Sequence, residues 1–213
     1  MPVWHANVRV TLGRALMRSI APAACFFGLL VLLVMAVGCN GGEQQGGATP
    51  AEQFRTPVAR PTYDANAPLV GFHSVDNGYT IGYPEGWEQD TPPAPGTDAF
   101  VWKIGDTRLA LLQVTCNPGL LSPEALMSAD AEVASTFGGR LDPSTAVPVE
   151  VAGVEGKLNT YGVSVGGLAV EHIVAYAAKG NCGWRIGLSS YGEGSLAPYL
   201  PLFNRIVASF RTD

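Results

Sequence analysis

Between residues 147 and 188 the chain is a series of apolar stretches cut at short intervals by glycine turns. Residues 147–151 run into Gly153, residues 154–165 into Gly166-Gly167, and residues 168–178 into Lys179-Gly180-Asn181. Trp184, Ile186 and Leu188 then alternate with polar or small neighbours. Connections this short leave no room for a crossover, so the strands they join must be antiparallel neighbours. Pro148 lacks an N–H for a ladder and assigns 147–151 to an edge.

The same grammar holds upstream. Residues 70–75 form a strand candidate, Asp76-Asn77-Gly78 a tight turn, and Tyr79, Ile81 and Tyr83 alternate on a second strand. Pro84-Glu85-Gly86 ends that strand before Trp87, and residues 91–96 are a proline-rich loop. Phe100, Trp102 and Ile104 alternate on a third strand. Residues 108–116 are mostly apolar, which predicts a central fourth strand.

Two helices interrupt the strands. Ser122 suits an N-cap, Pro123 the first helical position and Glu124 the positive end of the helix dipole. Leu126, Val133 and Phe137, with Ala129 and Ala134, predict the buried face, and Gly138-Gly139 the stop. The final helix predicts an apolar face of Leu202, Phe203, Ile206, Val207 and Phe210. Strands, helix, strands, helix in that order predict an α+β domain over residues 68–213, an antiparallel sheet flanked by helices.

The N-terminus has a different character. Arg9, Arg14 and Arg18 precede an uncharged run that reaches Glu43. A cationic start, an apolar middle and small residues at the end mark an export signal over residues 1–38. Ala36-Val37-Gly38-Cys39 resembles the lipobox of bacterial lipoproteins. In that family the cysteine is acylated, palmitate among the chains, and becomes the first mature residue. The resemblance implies an extracytoplasmic protein held on a bacterial membrane through lipidated Cys39. A run this long also suits an uncleaved membrane helix, and a secreted soluble form is the third reading. Residues 39–67, rich in Gly, Pro, Gln and Ala, read as a flexible tether with an end-to-end distance of roughly 30 Å.

Removing the signal leaves ten basic residues against eighteen acidic ones, a net charge of −8. So acidic a surface argues against nucleic-acid binding, which requires phosphate neutralisation. It also argues against a polybasic grip on anionic lipid. Cys25 leaves with the signal, so Cys116 and Cys182 remain as an even pair in an oxidising compartment, bridged or as two half-buried thiols. Neither belongs to a C-x-x-C, and no pattern implies a cofactor or metal.

Two segments carry a further resemblance. "YTIGYPEGWE" (residues 79–88) resembles a signature in which a strand ends in a Pro-x-Gly-Trp corner, with Tyr83, Pro84, Gly86 and Trp87 as its structural residues. "FNRIVASF" (residues 203–210), anchored by Phe210, resembles the matching closing helix. Together they are similar to the PsbP-like superfamily, whose bacterial branch includes lipoproteins of the LpqN type. The resemblance implies an α/β/α sandwich that binds or stabilises partner proteins, here an envelope protein. It carries no shared catalytic residues. Metal sites of plant members have no matching positions here.

Three candidate chemistries stand beside this. Gly162-Val163-Ser164-Val165-Gly166 matches G-x-S-x-G, which would make an envelope hydrolase using Ser164. That mechanism needs a strand–elbow–helix turn, whereas here Gly166-Gly167 leads into another strand. His73 and Asp76 sit close enough to meet across a turn. Glu171 and His172 face opposite sides of their strand and do not chelate together. Glu85 and Glu88 flank Trp87 as solvated corner charges. Strand aromatics (Tyr79, Tyr83, Trp102, Tyr161, Tyr176, Trp184) fill the core or line a groove. The leading reading is a non-enzymatic binding or assembly module. Its energy comes from an exposed sheet edge or a sheet–helix groove. A carrier of small apolar ligands or lipid is the remaining alternative.

Overall fold

The computed structural model describes residues 64–90 and 95–213. The export signal, Cys39 and the tether up to residue 63 lie outside the described residues.

The described strands form two antiparallel sheets. The strands are β1 (Leu69–Ser74), β2 (Tyr79–Pro84), β3 (Glu88–Gln89), β4 (Thr97–Ile104) and β5 (Thr107–Asn117), then β6 (Val147–Val151), β7 (Val154–Val165), β8 (Leu168–Lys179), β9 (Cys182–Tyr191) and β10 (Arg211–Thr212). The main sheet has seven strands in the order β3-β4-β5-β9-β8-β7-β6, and the small sheet has β1-β2-β10. Helix α1 (Pro123–Thr136) and helix α2 (Leu200–Ser209) complete the α+β fold. The glycine turns deliver the predicted meander β6-β7-β8-β9, with Pro148 on the edge and β5 in the interior.

The period of two along each strand separates two cores. Ala175 and Ala177 of β8 join Trp184, Ile186 and Leu188 of β9 in one cluster with Tyr79, Leu202, Phe203, Ile206 and Phe210. Val174 and Tyr176 of the same strand join Leu126 and Met127 in another. The small sheet and α2 therefore cover one face of the main sheet, and α1 covers the other. Tyr79 and Phe210 pack edge-on against Trp184 at 5.4 and 5.2 Å between ring centroids. Tyr83 stacks on Phe100 at 4.3 Å.

Ser122 caps α1 as expected, its Oγ accepting from the Ala125 N–H at 3.1 Å. The buried face of that helix differs from the predicted one. It consists of Leu126, Met127, Asp130 and Ala134. Val133 and Phe137 are only half-buried, and Phe137 is the C-cap. The helix is rotated because Asp130, a carboxylate, is drawn inward by partners on the sheet. The alternation Phe100, Trp102, Ile104 also fails at its end. A bulge between Trp102 and Lys103 shifts the register, and Ile104 is 51% exposed.

Cys116 and Cys182 are bridged, with Cα atoms 5.6 Å apart. The bridge joins the end of β5 to the start of β9. The adjoining loop runs tight against the sheet, because a Cβ at Gly183 would meet the Leu120 carbonyl oxygen.

Candidate functional site

Among the described residues the terminal strands are β3 and β6 in the main sheet and β1 and β10 in the small sheet. At one edge of the main sheet, Ala152-Gly153 closes the β6–β7 hairpin with φ of 51° and 77°. This two-residue turn makes Val151↔Val154 a hydrogen-bonded pair. The alternation of an antiparallel ladder then points Val149 and Val147 toward β7, and Pro148 and Glu150 away from it. Pro148 thus occupies an outward position, where its missing N–H costs no ladder bond and blocks pairing with another strand.

Beside this edge, an open cleft of about 440 Å³ is lined by Glu150, Ala152, Gly153, Val207, Ala208 and Arg211. A second, shallower one of about 310 Å³ runs along Pro148, Glu150 and Glu155. Glu150 and Glu155 are cross-strand partners. The nearby cations are committed to backbone. Arg211 Nη1 donates to the carbonyls of Ala208 and Phe210 at 2.8 and 2.7 Å, and Lys179 Nζ to that of Ala152 at 2.8 Å. Neither cleft is an enclosed apolar chamber.

The small sheet ends in a different kind of edge, β1. The Glu85 N–H donates to the Pro68 carbonyl at 2.9 Å, which makes Pro68 and Glu85 a hydrogen-bonded pair one step beyond Leu69↔Pro84. Alternation then turns Val70, Phe72 and Ser74 toward β2 and leaves the backbone groups of Leu69, Gly71 and His73 pointing outward. The Gly82 N–H corroborates this parity. Opposite Gly71, it points the other way and donates to Ser209 Oγ at 2.8 Å. No proline or lysine lies in β1.

A buried polar cluster lies beneath α1. Asp130 Oδ2 accepts from Arg185 Nε at 2.7 Å, the Tyr176 hydroxyl at 2.7 Å and the Tyr161 hydroxyl at 3.4 Å. Arg185 Nη2 also donates to the Tyr161 hydroxyl at 3.2 Å. The Tyr161 ring stacks on His172 at 4.7 Å, and His172 Nδ1 is 2.8 Å from Ser189 Oγ. Burial, followed by the Arg185 charge, lowers His172 to about 4. Burial raises both tyrosines. His172 is therefore neutral near pH 7 and too weak a base to activate Ser189, which is itself 7% exposed. The cluster is a satisfied network that fixes α1 on the sheet.

The sequence-predicted residues fall out as follows. Cys39 lies outside the described residues. Trp87 is 5% exposed and Phe210 fully buried, both in the larger core. Gly86 turns the Pro-x-Gly-Trp corner with φ of 84°, where a Cβ would be strained, and aims Trp87 inward. Ser164 is exposed near the end of β7, and Gly166-Gly167 leads into β8 rather than a helix. The strand–elbow–helix geometry is absent there. His73 does not meet Asp76. Its Nε2 lies 3.2 Å from Asp213 Oδ2, because β10 places the chain end beside β2. Glu171 caps a turn, accepting from the N–H groups of Gly194 and Leu196 at 2.8 Å each. Glu88 pairs with Lys103 at the surface. Among the described residues no cluster of His, Cys, Asp and Glu has metal-binding geometry.

No family model matches the chain, and no curated protein matches it either. Solved structures do. PsbP of Synechocystis sp. PCC 6803 (CyanoP) superposes with a TM-score of 0.51 at 18% identity, covering 69% of this chain and 94% of that one. The fold is PsbP-like. LpqN of Mycobacterium tuberculosis, described as involved in cell envelope biogenesis, matches at 12% identity and TM-score 0.44, over 68% of this chain and 91% of its own. A Bacteroides thetaiotaomicron protein matches at 12% identity and TM-score 0.47, and this chain spans 48% of its length.

Proposed function

We propose that this chain is a bacterial lipoprotein, anchored through Cys39, whose PsbP-like domain binds an envelope protein and performs no chemistry of its own. The β1 edge carries this reading. It is a terminal strand whose outward backbone groups have no backbone partner among the described residues, whereas the β6 edge bears a blocking proline. The Cys116–Cys182 bridge supports an extracytoplasmic location, since such bonds persist in oxidising compartments. Asp130, Tyr176 and Arg185 are bonded to one another rather than turned to a cleft, which supports a scaffold.

The test has two arms. Metabolic labelling with an alkyne fatty acid should tag the wild-type chain and not Cys39→Ser. Crosslinking in intact cells should give a discrete protein adduct in the membrane fraction. Label retained on Cys39→Ser refutes the anchor, and no adduct refutes the binding role.

A further inference from the structure

We infer that β1 is a docking strand for an extended segment of a basic partner, apolar at its centre and carrying Lys or Arg at the end that meets Asp76 and Asp213. This rests on the binding role proposed above and names its mode. Leu69, Gly71 and His73 offer outward N–H and C=O groups at every second position, the template that β-augmentation requires. None of the three has a backbone partner on that side among the described residues. A Cβ at Gly71 would meet nothing within 4 Å, so Gly71→Ala adds a methyl group on the sheet face without a clash. Val70 shares its side of the strand with the half-buried Phe72 and is 39% exposed, a site for one apolar side chain of the incoming strand.

Charge selects the partner. At one end of β1 lie the exposed carboxylates of Asp76 and Asp213, and at the other Arg205 Nη1 donates to the carbonyls of Ala65 and Ala67 at 2.8 and 3.0 Å. Between these ends the strand carries no acid and no lysine or arginine. An apolar strand with Asp76 and Asp213 at one end, on a mature chain of net charge −8, complements a segment with a cationic end. A second copy fits poorly. Two-fold pairing centred on Gly71 would set Leu69 opposite the partner's His73. Each mature copy carries a net charge of −8, and that shared sign opposes the pairing.

The test uses the full chain in detergent micelles and a fluorescent peptide of alternating valine and threonine flanked by lysines. Gly71→Pro deletes one outward N–H while leaving the β1–β2 ladder, and Gly71→Ala is its control. We expect binding to wild type and Gly71→Ala, about tenfold weaker binding to Gly71→Pro, and weakening as salt rises. The glutamate-flanked peptide should bind far less. Peptides N-methylated on one alternate set of amides should lose binding, whereas those methylated on the other set should keep it. That comparison needs no folded variant. Equal binding by lysine- and glutamate-flanked peptides, indifference to the methylation register, or no binding to wild type overturns the inference. So does a Gly71→Pro-sensitive dimer in sedimentation. If the cellular adduct survives Gly71→Pro, the docking strand fails and the binding role stands. If wild type forms no adduct, the binding role itself fails.

Discussion

Arg185 Nε lies 2.7 Å from Asp130 Oδ2, with the two side chains 11% and 5% exposed between α1 and the main sheet. The same carboxylate oxygen also takes the Tyr176 hydroxyl. Helix α1 is held in its rotation by this acceptor, and the two partners are not equivalent. Asp130→Ala leaves a buried guanidinium and two tyrosine hydroxyls without their acceptor, and should cost about 3–5 kcal/mol. Arg185→Met leaves a carboxylate that still has tyrosine donors, and should cost less. Urea unfolding of both variants checks the order.

His172 makes stability depend on pH in a defined window. Its folded value of about 4 lies below the ordinary 6.5, so the unfolded chain binds the extra proton first. The contribution is complete above pH 6.5 and is lost as pH falls toward 4, on the order of 3 kcal/mol at most. Unfolding free energies measured across that range should fall with acidification in wild type. In His172→Gln the slope should flatten.

The Cys116–Cys182 bridge closes a loop with a sequence separation of 66. Removing it should destabilise the domain by about 4 kcal/mol on the chain-entropy account. The loop from Asn117 to Leu121, which leads into α1, should gain amide exchange first. Hydrogen exchange on Cys116→Ser/Cys182→Ser measures both effects.

Ala152 holds φ at 51° in a hairpin turn that suits Asn or Gly. Ala152→Asn should stabilise the domain by about 1 kcal/mol, because Asn tolerates the left-handed region. A rise in melting temperature of roughly 3 °C is the expected readout.

Most of the scaffold could be read from residues 68–213, and what could not be read shares a cause. Gly153, Gly166-Gly167 and Lys179-Gly180-Asn181 are local signals, so β6 to β9 emerge in order. Ser122 and Pro123 mark α1 for the same reason. Asp130 carries no local signal, since its partner Arg185 lies 55 positions away and only the folded sheet brings them together. The short strands β3 and β10, of two residues each, are set by tertiary pairing. His73 reaches Asp213 through that pairing. The openness of β1 depends on ladder parity, which requires the register with β2. Strand β1 is therefore legible as a strand in the sequence and not as an edge.

The central claim is that a lipid-held domain recruits a protein through the outer side of β1. Its most direct test is a photocrosslinking amino acid at Val70 in intact cells, with wild-type, Cys39→Ser and Gly71→Pro backgrounds compared. The account requires one discrete adduct in the membrane fraction, lost in both variants while the folded domain persists. An adduct indifferent to Cys39 and Gly71, or none in wild type, would contradict it.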